Sequence, residues 1–257
     1  MNEKYVLFLD ILGFKDLIEN NSHEEIEKIY KHQVIESYGP AIHMSSLFSG
    51  QNIQVEFRID GNILKDTVQN TLNLHIMSDS ILIWTNDASL DSLMKLFAFA
   101  SVYINLTFTM GVPLRGAISK GYISEIITPM NNNIQSCFVG TGIVKAYQLE
   151  GKQDWMGCII DDECIKDIPK DVLVHIQAEK NSYITKYMVP FKVNGVIEPK
   201  EAYVVNWAIS PSSTIDNSIE FFNSKFNQFK KDINNIRVKN KINNTYKFYT
   251  EMITKII

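Results

Sequence analysis

Cysteine is scarce in this chain of 257 residues: Cys137, Cys158 and Cys164 are odd in number and none stands at paired-ligand spacing. That excludes a disulfide framework and the usual zinc sites, and the three read as ordinary thiols. No apolar stretch approaches the roughly 20 residues of a membrane span. The opening segment carries Glu3, Lys4 and Asp10, unlike a signal peptide. Positive charge is not in excess either; the net charge is −4, without the concentrated cationic surface that duplex nucleic acid demands. Repeats and low-complexity tracts are absent, apart from a mild richness in Asn. The expectation is a soluble, cytoplasmic protein with no nucleic-acid partner, whose 45% hydrophobic content builds one substantial core and at most a small appendage.

Against that background one stretch stands out. Tyr5-Val-Leu-Phe-Leu-Asp10-Ile-Leu-Gly-Phe14 is a continuous apolar run that ends on a carboxylate and passes at once into a glycine turn. Without polar alternation, Tyr5 to Leu9 reads as a strand buried on both faces, at the centre of a helix-covered sheet. A helix begins near Gly13 and Phe14. Asp10 then lies at the sheet rim beside the first helix amides, a place suited to phosphate groups and their metal ions. It is equally readable as a plain helix cap.

A second acid answers the first. His75-Ile-Met-Ser-Asp79-Ser-Ile-Leu-Ile-Trp84 reads as two strand segments around a tight turn over Ser78 to Ser80, which puts Asp79 on a hairpin tip. Two acids at strand ends are the usual oxygen ligands of Mg²⁺ or Mn²⁺ handling phosphoryl groups, because such ions take hard donors in octahedral geometry. Asp87 or Ser89 can cap a helix with Leu90, Leu93, Leu96 or Phe97, Ala100 and Ile104 at helical spacing, stopped by Gly111 and Pro113. Leu114 to Gly121 reads as a strand, and Tyr122 to Thr128 with Ile134 to Val139 as a hairpin around Pro129 and residues 131–133. A helix over Thr141 to Glu150, a strand over Met156 to Ile160 and a short helix capped at Asp161 follow. Late strands over Tyr187 to Phe191 and Ala202 to Ile209 flank a loop from Val193 to Pro199. Strands, helices, then strands again predict an α+β sandwich.

The order of these motifs resembles the class III nucleotidyl cyclases. That family's opening Asp-Ile-x-Gly-Phe stands here as Asp10-Ile11-Leu12-Gly13-Phe14, and its metal-bearing hairpin, usually Gly-Asp, as Ser78-Asp79. Its Arg-x-Gly-Ile-His-Thr-Gly strand is similar to Arg115-Gly-Ala-Ile-Ser-Lys-Gly121. Its Gly-x-x-Val-x-x-Ala-x-x-x-Glu helix is similar to the run from Gly140 through Ile143 and Ala146 to Glu150. The resemblance implies a ferredoxin-like cyclase core over residues 1–210, working as a head-to-tail homodimer whose nucleotide sites are shared between subunits. It implies that Asp10, Asp79 and the carbonyl of Ile11 hold two Mn²⁺ or Mg²⁺ ions and that the amides of Leu12, Gly13 and Phe14 face the triphosphate. The implied reaction is in-line attack of the ribose 3′-hydroxyl on the α-phosphorus with loss of pyrophosphate.

Departures from the family pattern carry information too. Where its adenylyl enzymes read the base with Lys and Asp, this chain has His75 and Cys137, and the Glu and Cys of its guanylyl enzymes are also missing. A mismatched buried pair discriminates poorly, so a purine is disfavoured; the plainer alternative is a satisfied strand histidine and a core thiol. Val144 stands at the family's ribose-orienting Asn and Gln148 at its transition-state Arg. Loss of such an arginine costs about 10³ to 10⁵ in rate in other phosphoryl-transfer enzymes. Arg115, Lys120 and Lys145 are candidate replacements, Lys145 first; the alternative is a silent domain. In length, in Phe8 to Phe14, in Ser78-Asp79 and in Pro113 to Ser119, the chain is similar to the short bacterial cyclases of the Pycsar antiphage branch. That similarity implies conversion of UTP, or else CTP, to cyclic UMP or cyclic CMP, which activates a separate effector. A purine cyclase with an unusual base pocket and a non-catalytic nucleotide sensor are the other readings.

Residues 211–257 form a C-terminal arm with its own pattern. Ile215, Ile219, Phe222, Phe226, Phe229, Ile233 and Ile236 recur at spacings of four and three, and Ile242, Tyr246, Tyr249, Ile253 and Ile256 repeat the pattern after a break. Two amphipathic helices are predicted, free to pair across a dimer, to receive a partner, or to dock on their own chain as such stripes most often do. Eight cations, among them Lys231 and Lys241, concentrate there and read as solvated helix faces.

Overall fold

The computed structural model describes residues 2–46, 54–59, 62–67, 72–130, 133–179, 182–209 and 216–256. Apolar residues at every position from Tyr5 to Leu9 commit the chain to a strand covered on both faces, and β1 (Lys4–Ile11) is buried along that run. Gly13, at φ 76°, turns the chain into α1 (Phe14–Asn20), a left-handed conformation that glycine adopts without strain. Ser22 and Glu25 form a reciprocal capping box that starts α2 (His23–Ile29). It widens into a π-helical turn over Tyr30–Ile35 and leads to α3 (Tyr38–Ser46). β2 (Gln54–Ile59) and β3 (Asn62–Thr67) pair as a separate ribbon. The predicted hairpin around Asp79 is β4 (Leu72–Met77) and β5 (Ser80–Thr85).

Ser89 caps α4 (Leu90–Thr109) by accepting from the Ser92 amide. β6 (Leu114–Gly121) follows with the predicted bounds. β7 (Ser124–Met130) and β8 (Asn133–Val139) form the predicted hairpin; residues 131–132 at its turn lie outside the described residues. Then come α5 (Thr141–Gly151), β9 (Gly157–Ile160), α6 (Asp162–Lys166) and α7 (Lys170–Ala178). β10 (Ile184–Val193) and β11 (Val196–Val205) correct the expected loop from Val193 to Pro199: only Asn194 and Gly195, both at positive φ, make the turn. Pairing runs unbroken from Ile184 opposite Val205 to Val193 opposite Val196. The first half of β11 is exposed, so no apolar alternation marked it as a strand.

The main sheet has seven strands in the order β10-β11-β9-β6-β1-β5-β4. β1 runs antiparallel to both neighbours, β5 and β6, and β4 is antiparallel to β5. With α1 to α3 as the first crossover and α4 as the second, β1, β4, β5 and β6 form a β-α-β-β-α-β unit of ferredoxin-like topology. β9, parallel to β6, extends it. The fold is therefore the expected α+β sandwich. One face of β1, through Tyr5, Leu7 and Leu9, packs on α4 and the N-terminal helices in the main core. Its other face, through Val6 and Phe8, meets Ala146 of α5 in a second, smaller cluster. Gly142 brings α5 onto the sheet, since a Cβ there would stand 2.7 Å from Val6 Cγ2.

Two expectations need correction. The 20 residues of α4 are long and apolar enough to cross a membrane by length and composition, although 83% of that stretch is buried inside the fold. Its small and polar residues hid this in the linear sequence. In the arm, α8 (Ile219–Asn227) stops before Phe229, whose positive φ of 62° breaks the first helix earlier than predicted. The second is α9 (Ile236–Ile256); Ile215 lies outside the described residues. Both helices dock on their own chain: Phe222 packs on Phe108, and Phe248 on Trp155, Tyr187 and Trp207.

Candidate active site

The strand register places the acids together. Asp10, at the end of β1, stands opposite Ser80 of β5 and Arg115 of β6. The Ile11 amide donates to the carbonyl of Asp79 at 3.0 Å, which ties the hairpin tip to the end of β1. The Tyr30 hydroxyl, from the π-helical turn, donates to the Ser78 carbonyl at 2.6 Å and holds the tip from its other side. The carboxyl groups of Asp10 and Asp79 are close enough to share a hydrogen bond. Burial first, then the charge of Glu150, and further the Asp79 carboxylate raise the pKa of Asp10 to about 7 against the opposing pull of Arg115.

Arg115 crosses this group. Its Nη2 lies 3.5 Å from Asp10 Oδ2, its Nε is bound to Glu150, and its Nη1 donates to the Gln153 carbonyl at 3.3 Å. Glu150 closes α5 and is buried; desolvation raises its pKa and the guanidinium opposes that rise. The motif residue Glu150 thus acts as the counter-ion of Arg115.

The other predicted residues divide. Leu12 donates its amide to the Pro113 carbonyl at 3.0 Å, so that N–H is engaged within the fold and leaves Gly13 and Phe14 to supply the amides of the turn. Lys145 is not brought to the acids: its Nζ donates to the Lys120 carbonyl at 3.3 Å and to Glu163 at 2.5 Å. Lys120 stands opposite Tyr5, five residues along β1 from Asp10, or about 17 Å at strand rise. Lys120 itself pairs with Asp167 at 2.8 Å. His75 packs against Phe138, with ring centroids 4.5 Å apart and the rings tilted by 40°, while neighbouring Cys137 is exposed and by strand alternation turns to the opposite face. The outer face of α5 carries Val144, 53% exposed, Tyr147, 60% exposed, and Gln148.

Several contributors were missed. Asp154 Oδ1 lies 3.8 Å from Lys192 Nζ and 3.9 Å from Lys241 Nζ, so cations from β10 and α9 converge near Arg115. Lys231, read as solvated, is 3% exposed; its Nζ donates to the Gly111 carbonyl at 2.8 Å and its stem lies against Gly13. Burial lowers its pKa to about 7. A cation at an irregular helix break gives no periodic signal, so only the fold reveals these positions.

No group of three or more His, Cys, Asp or Glu side chains suited to a metal occurs among the described residues. Two carboxylates remain, and that number fits Mg²⁺ or Mn²⁺ completed by phosphate oxygens and water. The charges of Glu150 and Asp79, which add to burial in raising Asp10, are of the kind a divalent cation relieves.

No family model and no curated protein matches the chain. Solved structures of similar fold include the guanylate cyclase domain of RhGC from Catenaria anguillulae in complex with GTP, 14% identical, covering 79% of this chain and 96% of that one at a TM-score of 0.46. The adenylyl cyclase CyaB from P. aeruginosa is 18% identical over 79% of this chain and 93% of its own, with a TM-score of 0.42. A class III adenylyl cyclase-like ATP-binding protein from Pseudomonas aeruginosa is 12% identical over 69% of this chain and 37% of its own, with a TM-score of 0.40.

Proposed function

We propose that this protein is a nucleotidyl cyclase of class III type that converts a pyrimidine nucleoside triphosphate, UTP before CTP, to its 3′,5′-cyclic monophosphate. The observation that carries this reading is the meeting of Asp10 and Asp79 at adjacent strand ends of a ferredoxin-like core. Asp10, Asp79 and the Ile11 carbonyl would hold the divalent ions, which when bound neutralise phosphate charge and acidify the ribose hydroxyl. The turn at Gly13 and Phe14 orients the triphosphate. The 3′-oxygen forms a bond to the α-phosphorus as the bond to the β-phosphate oxygen breaks; pyrophosphate leaves and the hydroxyl proton passes to water.

A homodimer is part of the proposal. Val144 and Tyr147 expose apolar side chains beside Gln148 on the outer face of α5, with Val139 exposed nearby in sequence, as surfaces that meet a second copy do. Pairing through it would bring the α5 of one copy, with Lys145, toward the acids of the other, as a shared site requires. The rings of His75 and Phe138, in contact and tilted by 40°, offer a base an aromatic edge in place of the Lys and Asp or Glu and Cys that read purines. We further assign the protein to the cytoplasm and its product to signalling in antiphage defence, acting through a separate effector.

The test is incubation with Mn²⁺ and each of ATP, GTP, CTP and UTP, with mass identification of any cyclic monophosphate. A cyclic pyrimidine nucleotide lost in Asp79→Ala is expected. A purine product would overturn the base assignment, and no product from any nucleotide in an intact dimer would favour a nucleotide-binding module instead.

A further inference from the structure

The C-terminal arm reaches the acids through a short buried segment. The Met156 amide donates to Thr245 Oγ1 at 2.9 Å, and Asn244 Nδ2 donates to the Asp154 carbonyl at 2.9 Å, which fixes α9 against residues 154–156. Arg115 grips the same segment from its other side, at the Gln153 carbonyl. Lys241 lies one helical turn before Thr245, so these bonds also fix where its side chain emerges. That side chain is 22% exposed. It lines a cleft of about 50 Å³ with Leu12, Gly13, Asp16 and Lys231, directly on the glycine turn.

Its charge is poorly matched. Lys241 and Lys192 share one oxygen of Asp154 at 3.9 and 3.8 Å, the outer limit of an ion pair. Burial, with Arg115 acting in the same direction, holds Lys241 below the usual lysine range, while Asp154 and Asp10 pull it back. Arg115, Lys192 and Lys241 face four carboxylates, those of Asp10, Asp79, Glu150 and Asp154. Divalent ions on Asp10 and Asp79 would take two of these counter-charges away and leave three cations to Glu150 and Asp154, a deficit that a polyphosphate chain would fill.

We propose that Lys241 binds the polyphosphate of the nucleotide, so that the C-terminal arm supplies in cis a cation of the substrate site. The inference rests on the reading of Asp10 and Asp79 given above. Lys241 is preferred to Lys192 because it borders the glycine turn.

The probe is inorganic triphosphate with Mg²⁺, titrated calorimetrically into the full chain and its variants. Loss of a charge-assisted contact in Lys241→Met should weaken binding roughly ten- to hundredfold and flatten its salt dependence, with Lys241→Arg restoring most of the affinity. Unchanged thermal unfolding of Lys241→Met separates lost contact from lost fold. Affinity in Lys241→Met equal to that of the wild type overturns the inference; if Asp79→Asn abolishes binding in the same series, the acid-pair reading survives it. A wild-type protein that binds no triphosphate overturns both.

Discussion

Arg115 Nη2 stands 3.5 Å from Oδ2 of Asp10, its neighbour across β1 and β6, while its Nε is held by the buried Glu150. The guanidinium is thus shared between an acid proposed to bind metal and an acid that holds it in place. Removing it leaves Glu150 as a buried charge without its main partner. Arg115→Met should cost about 3 to 5 kcal/mol, as for other broken buried pairs. The folded-state pKa of Glu150 is already raised, chiefly by burial, and rises further without the guanidinium. An acid raised above its unfolded value destabilises progressively as pH climbs from the unfolded pKa to the folded one. Urea unfolding should therefore show a larger deficit for Arg115→Met at pH 8 than at pH 5, and an equal deficit would remove Glu150 from the account.

Asp10 titrates at about 7, with burial the main cause. By the same sign, the metal-free protein loses stability as pH rises from the ordinary carboxylate range to about 7, because the folded state holds a proton that the unfolded state has released. Asp10→Asn should be more stable than the wild type at pH 8 without metal, yet inactive. Mn²⁺ should bind more weakly at pH 6 than at pH 8, since proton and metal compete for the same oxygens. Calorimetric titration at both values checks this, and pH-independent affinity would argue against Asp10 as a ligand.

Lys231 is buried with its ammonium on the Gly111 carbonyl, and burial lowers its pKa to about 7. For a lysine lowered on folding, the unfolded chain binds more protons between the two pKa values, so stability rises with pH from about 7 toward 10. Lys231→Met removes that slope. Thermal unfolding at pH 7 and pH 9.5 should show a smaller difference for the variant than for the wild type; equal slopes would mean that the lysine is not charged by unfolding.

Phe248 lies 4.8 Å from Trp155 and 4.9 Å from Tyr187, centroid to centroid. Phe248→Ala should cost about 3 to 5 kcal/mol, as large-to-small changes at aromatic core sites do. It should also loosen the anchorage of Asn244 and Thr245. Denaturant unfolding measures the first effect and amide exchange at Met156 the second; a cost below 1 kcal/mol would show an arm that is not part of the core.

Where sequence patterns tie side chains to a single element, they were legible. The uninterrupted run from Tyr5 to Leu9 marks a two-sided strand, and the turn residues Ser78 and Asp79 mark a hairpin tip. The four motifs also preserve their order, so the pair of acids could be named from the chain. What lay beyond reach depends on contacts between distant segments. The solvent-facing start of β11 has no alternation to read, and the helix break at Phe229 follows from a positive φ that an aromatic residue does not advertise. Lys145 and Glu150 share a helix, yet one sits beside Lys120 and the other beside Arg115, because α5 runs along β6 rather than across its end. Lys241 and Lys231 resembled solvated charges in composition, and only the docking of the arm turns one toward Asp154 and buries the other against Gly13 and Gly111.

The elements that meet at this site are widely separated in the order of synthesis. β1, which brings Asp10, is made early, whereas the Asn244 and Thr245 that brace residues 154–156 arrive with α9, after every strand of the sheet. A nascent chain therefore carries the acid pair for some time before the wall beside it exists, and Trp155, Tyr187 and Trp207 lack Phe248 until the same moment. Completion of the core and completion of the site coincide. A ribosome-bound or truncated product ending before α9 would be an exposed, aggregation-prone intermediate, so quality control would remove the same molecules that lack Lys241 beside Asp154.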